Sequence, residues 1–200
     1  MPVAFPSHAG LVSPLLRWFP ERWSPTALWI GAMVPDVVDG LADLSRGHLG
    51  QWMGHSILGT FAFDVPAGLL LTLLVRTIAA RMATSPRERL ARGGRALLGI
   101  EPTTAARPLR LAEAVWLGAV SHVVTDLISH AGSMLLWPFR ADPAWFGAGW
   151  QHAWFRVSPP GYPDYPVGVP FVLWLVLSLL GGVGFFVWWP KPRRDLTRAA

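Results

Sequence analysis

The sequence contains no cysteine, a single lysine (Lys191) and few charges. Without cysteine there is no disulfide framework, no thiolate metal site and no cysteine nucleophile. Charged residues make up 14% of the 200 positions, against about 25% in soluble domains, so an ordinary water-soluble domain is not expected. No P-loop, G-x-G-x-x-G or H-E-x-x-H pattern is present, and nucleotide-binding and zincin readings lose their support. Gly54-His55-Ser56-Ile57-Leu58-Gly59 approaches a nucleophile elbow, but its second glycine falls one position late and no strand precedes it. Residues 1–14 lack the basic region and long apolar core of a secretory signal. Pro2, Pro6 and Pro14 argue against a long first helix, so internal segments are expected to direct membrane insertion.

What the chain does have is apolar length and tryptophan. Hydrophobic residues reach 52%, and the twelve tryptophans suit a chain that meets a lipid–water interface. The expected fold is an all-α integral membrane bundle forming one domain over residues 1–200. Three spans are predicted at about 56–75, 111–131 and 167–189, each near the 20-residue length that crosses a bilayer. A fourth, partly polar helix is predicted at about 26–44. Pro66, two residues after Asp64, should kink the second segment or free a carbonyl there. Segment 81–110 reads as an arginine-rich loop with a short surface helix around 86–98, and 134–166 as an irregular Trp/Pro-rich loop at headgroup depth.

The net charge of +5 comes from 17 basic and 12 acidic residues. Nucleic-acid binding is not expected, because the arginines flank apolar segments, where the positive-inside rule puts them. That rule makes the loop 81–110 and the tail 191–198 cytoplasmic in a multi-pass inner-membrane protein. It places His55 and His130 near the outer face.

Ionisable groups inside apolar spans are costly and point to function. His122, Asp126 and His130 recur every four residues, so they share one helical stripe. Imidazole and carboxylate are ligand types for zinc and related ions. The stripe reads either as a metal or proton site or as a polar seam satisfied by its neighbours. Asp36, Asp39 and Asp43 form a second stripe, readable as ligands or as acids favouring a helix N-terminus. His55 stands at a helix start, with Ser56 as a hydrogen-bonding residue there. Asp64 is expected to face the same interior. His48 reads as a solvated loop residue, and His152 lies in the aromatic loop where it could close over a site.

These residues carry a resemblance. Pro6-Ser7-His8, Gly31-Ala32-Met33-Val34-Pro35-Asp36, Gly54-His55-Ser56, Phe63-Asp64-Val65-Pro66, Gly118-Ala119-Val120-Ser121-His122, Asp126, Ser129-His130 and Gln151-His152, taken in order, resemble the DUF4184 family of bacterial membrane proteins. That family is similar to predicted membrane-bound metal-dependent hydrolases, whose His/Asp elements resemble the zinc ligands of zinc-dependent phospholipase C. The resemblance implies a divalent metal, zinc, held by His8, Asp36, His55, His122 and Asp126, with His130 as a further ligand. It implies membrane lipids as surroundings, and a lipid or small-molecule substrate.

Two functions follow as expectations. The first is a membrane-bound metal-dependent hydrolase acting on a phosphoester or lipid at the interface, with Asp39 as general base. The second is a non-catalytic membrane protein that handles or transports metal or protons through the same cluster. One conflict attaches to both. If 26–44 spans the membrane, as Arg17 and Arg22 favour, His8 lies on the far side from the site. If it is in-plane or re-entrant, as the acidic stripe favours, His8 can join.

Overall fold

Three helices are long and apolar enough to cross a membrane: Ile57–Ala83, Pro108–Ser129 and Val169–Val187. They belong to a computed structural model that describes residues 4–46, 53–102, 107–129, 135–138, 150, 152–158 and 165–190. The protein is an all-α membrane bundle. The first predicted span continues to Ala83, past Arg76 and Arg81; the other two match expectation to within a few residues.

In chain order, a π-helical turn (Ala4–His8) leads into the short helices α1 (Ala9–Val12) and α2 (Pro14–Trp18). Helices α3 (Pro25–Gly31) and α4 (Val34–Arg46) follow. The second segment comprises α5 (Ile57–Gly59), a π-helical turn (Thr60–Asp64) and α6 (Val65–Ala83). Then come α7 (Glu88–Gly99), α8 (Pro108–Ser129), the antiparallel strands β1 (Ala153–Val157) and β2 (Tyr165–Gly168), and α9 (Val169–Val187).

The region expected as one helix over 26–44 is helical but divided at Ala32–Met33. Pro35 explains the division: it has no N–H, so the carbonyl four residues back loses its helical partner. At the other end of α3, Ser24 Oγ accepts from the Ala27 amide at 3.1 Å, and Glu101 accepts from the Thr26 amide at 3.1 Å. Two donors at a buried helix start are thereby satisfied. Just before Pro66, a wide turn occupies the five residues ending at Asp64. The surface helix predicted around 86–98 is α7, packed on the end of α6. Segment 134–166 is not wholly irregular, because β1 and the start of β2 pair within it. The rest of that loop, apart from residues 135–138, 150, 152 and 158, and the tail 191–198 lie outside the described residues.

Large apolar side chains point outward on α6 (Leu70, Leu73, Leu74) and α9 (Leu175, Leu179, Val183, Phe186). Facing acyl chains, they cost nothing. In that setting helix association depends on close packing of small residues rather than on the hydrophobic effect. The interior follows this rule. A methyl group at Gly118 would overlap the Leu28 carbonyl, and one at Gly31 the Val115 carbonyl, so α3 and α8 touch backbone to backbone. A methyl at Gly10 or Gly181 would likewise overlap backbone across the contact between the N-terminal segment and α9. Ser13 ties the short helices to α3: its hydroxyl donates to the Ala9 carbonyl at 2.7 Å and accepts from Trp29 Nε1 at 3.0 Å.

Gly118→Leu must therefore push α3 away from α8, at an overpacking cost of about 1–3 kcal/mol or more. Thermal unfolding in detergent should show a clear drop in midpoint. Gly182→Leu, where an added carbon meets nothing within 4 Å, should leave it unchanged. Equal midpoints for the two variants would refute the close-packing account.

Candidate metal centre

The divided helix and the glycine contact together place a carbonyl. Gly118 seats α8 on the last turn of α3, where a methyl on it would stand 2.6 Å from the Ala32 amide nitrogen. Ala32 ends α3, and its carbonyl accepts a hydrogen bond from His122 Nδ1 at 2.8 Å. A carbonyl can only accept, so Nδ1 carries the proton and, in the neutral ring, Nε2 presents a lone pair.

His55 is oriented the same way from the opposite side. Asp39 on α4 receives the Gly54 amide at 2.6 Å on Oδ1 and His55 Nδ1 at 2.7 Å on Oδ2. Gly54 is required here, since a side-chain carbon would lie 2.6 Å from the Pro35 carbonyl oxygen. Ser56 then caps α5, accepting from the Gly59 amide at 2.9 Å. With Nδ1 donating to Asp39, His55 also turns an Nε2 lone pair inward.

The two Nε2 atoms stand 3.1 Å apart. Lone pairs that face each other at this distance repel unless a proton or a cation lies between them. Asp126 Oδ2 is 3.2 Å from His55 Nε2 and 3.4 Å from His122 Nε2, and Asp36 Oδ1 is 3.6 Å from each. Asp36, His55, His122 and Asp126 can each offer one donor atom, all within 4.8 Å of one another. Four donors bound tetrahedrally at about 2.0–2.2 Å stand roughly 3.3–3.6 Å apart, close to the spacings found. The outer oxygen of Asp36, Oδ2, is buried with no hydrogen-bond partner among the described residues. Two imidazoles and two carboxylates, the former steered through Nδ1 by a carboxylate and a carbonyl, make a donor set that fits a divalent ion together with its outer hydrogen bonds.

Without an ion, protons take up the strain. Burial alone would lower the His55 pKa, but hydrogen bonds to Asp126 and Asp39 push it up to about 10. Burial raises the Asp36 pKa against the lowering pull of His122 and His55.

The other expected residues fall as follows. His8 is buried beside the four donors. Its ring stacks on His122 at 3.9 Å, and its Nε2 lies 3.7 Å from Asp126 Oδ1. His8 thus joins the donors, as expected if 26–44 does not span the membrane, and neither α3 nor α4 is among the helices long and apolar enough to cross one. Asp39, expected as a base, holds His55. His130 and His48 lie outside the described residues. His152 is exposed. Asp64 is fully buried, and neither of its oxygens has a hydrogen-bond partner among the described residues. Sequence reasoning missed the Ala32 carbonyl and the Glu101 carboxylate. The proline after the Gly31-Ala32 pair was the available signal for the first; nothing local signals the second.

The fold and the cluster define a class: a helical membrane protein with a buried His/Asp centre able to hold a metal ion. Residues 1–145 match the family described as Domain of unknown function (DUF4184), and the chain belongs to it. That match covers all four donors. No curated protein and no solved structure matches the chain significantly.

Asp39→Asn keeps the size of the side chain but offers one acceptor to two donors, so the His55 ring loses its fixed tautomer. Outer-shell changes of this kind cost about 10–100-fold in metal affinity. Chelator competition should read a loss in that range; an unchanged affinity would remove Asp39 from the positioning role.

Proposed function

We propose that this chain is a membrane-bound, zinc-dependent hydrolase of the bacterial inner membrane, acting on a phosphoester or lipid at the interface. One observation carries the reading: two imidazole Nε2 atoms face each other at 3.1 Å with both Nδ1 atoms committed elsewhere. The carboxylates of Asp36 and Asp126 flank that gap. Bound there, zinc would act as a Lewis acid on a phosphoryl or acyl oxygen and make water reactive near neutral pH.

The chain's own residues divide the remaining work. Asp36, His55, His122 and Asp126 hold the ion. Asp39 and the Ala32 carbonyl fix the two imidazoles. His8, adjacent to Asp126 and outside the four-donor group, is the side chain we assign to proton transfer. The exposed arginines of the α7 region, Arg87, Arg89 and Arg92, support a cytoplasmic placement of that face.

A second reading draws on Asp64. A fully buried carboxyl inside a span, without a hydrogen-bond partner among the described residues, also suits a protein that passes metal or protons. Metal uptake into liposomes without hydrolysis would favour it.

Purified protein should contain zinc and should hydrolyse a chromogenic phosphodiester, with activity lost to a chelator and restored by zinc. His122→Ala and Asp126→Ala should lose metal affinity by more than about 100-fold, beyond the usual outer-shell effect, and lose activity with it. Metal content unchanged in both variants would overturn the site. Full metal without hydrolysis would overturn the enzyme.

A further inference from the structure

Away from the metal centre, charge of one sign is concentrated on one pair of helices. Between Val65 and Ile100 the chain carries six arginines and a single acid, Glu88. That stretch is α6, a short turn and α7. The helical segment that α6 completes, Ile57–Ala83, has 27 residues, which at 1.5 Å each make it about 40 Å long. The hydrocarbon core of a bilayer is only about 30 Å thick. No charge occurs between Asp64 and Arg76. The excess length therefore falls on the last turns of α6, where Arg76 and Arg81 stand at headgroup depth.

Helix α7 is fastened to those same turns. A methyl group on Gly94 would lie 2.4 Å from the Ala79 carbonyl oxygen and 2.4 Å from the Ala83 amide nitrogen, so the two helices meet backbone to backbone. Just past α7, Ile100 enters the buried core and Glu101 accepts from the Thr26 amide at 3.1 Å. The helix is thus tied both to α6 and to the start of α3. A charged segment that merely stays in water has no need of such anchoring.

The exposed residues of α7 include Arg89, Arg92 and Arg95. Glu88 Oε1 accepts from Arg95 Nη2 at 3.1 Å and lies 3.6 Å from Arg92 Nε. One carboxylate so gathers two guanidinium groups while neutralising one charge, and each group keeps further N–H donors. The planar guanidinium fork meets two phosphate oxygens at once, which a lysine ammonium cannot do. Leu90, exposed on the same helix, is the kind of apolar side chain that an interfacial helix sinks toward the acyl chains.

We propose that α7 is a binding ledge for anionic phospholipid, with Arg89, Arg92 and Arg95 on the headgroup phosphates of the adjoining leaflet. Charge selects this occupant. A zwitterionic headgroup carries an amine that cancels its phosphate, and an anionic one does not. Each basic side chain near an anionic lipid surface favours binding by about fivefold.

The test titrates the full chain, in a neutral detergent, with phosphatidylglycerol and separately with phosphatidylcholine of the same acyl chains. Bound lipid is counted by native mass spectrometry. The wild type should bind phosphatidylglycerol at least about tenfold more tightly. The triple variant Arg89→Gln, Arg92→Gln, Arg95→Gln should cut that preference by at least about fivefold, with metal content and thermal midpoint unchanged. A second triple variant, Arg17→Gln, Arg22→Gln, Arg156→Gln, removes the same charge from exposed positions elsewhere and should keep the preference. No preference in the wild type would overturn the site, as would equal loss in the two triple variants, which would mark a general attraction of the charged chain. An RNA oligonucleotide bound tightly by the wild type without any lipid preference would reassign the face to nucleic acid.

Discussion

Two histidine nitrogens that face each other across 3.1 Å, each with its other nitrogen already donating a proton, set the terms for this protein. An arrangement of this kind needs a positive charge in the gap. A proton can supply it, and hydrogen bonds to Asp126 and Asp39 favour one on His55. A divalent ion can supply it better, because Asp36 and Asp126 bring carboxylate oxygens to the same point. The cost of burying two histidines and two aspartates within a bundle that faces lipid is offset only if such a charge is present.

The rest of the fold serves that meeting. His122 and Asp126 come from a span, Asp36 and Asp39 from α4, His55 from the turn before another span, and His8 from the N-terminal segment. No single element could gather them. What allows it is glycine at the crossings: Gly31 and Gly118 bring α3 onto α8, Gly10 and Gly181 seat the N-terminal segment on α9, and Gly54 lets the His55 turn approach Pro35. In a membrane, close backbone contact is the main available source of helix affinity. The glycines that stabilise the bundle thus also set the spacing of the donors.

Much of this was legible in the sequence, for identifiable reasons. The spans follow from apolar length. The pairing of His122 with Asp126 follows from a four-residue spacing that any helix converts into one stripe. Asp36 was marked by its stripe with Asp39 and Asp43, and His55 by its place at a helix start. What could not be read depends on contacts between distant segments. The break at Ala32–Met33 matters because it frees a carbonyl for a histidine 90 positions away. Asp39 looked like one more acid on the same stripe as Asp36, yet the roughly 60° between them around the helix leaves one beside the centre and the other on His55 Nδ1. The place of His8 was undecidable from its own surroundings, since it follows from how Gly10 meets Gly181 and seats the N-terminal segment beside His122. Glu101, which closes the start of α3, carries no local mark at all.

The central claim is that His55 and His122 share one ion. X-ray absorption at the metal edge of the purified, metal-loaded protein tests it most directly. The account predicts a shell of light nitrogen and oxygen donors at about 2.0–2.2 Å, with outer-shell scattering from two imidazole rings. A protein that takes up no metal, or a spectrum with no imidazole contribution, would contradict it.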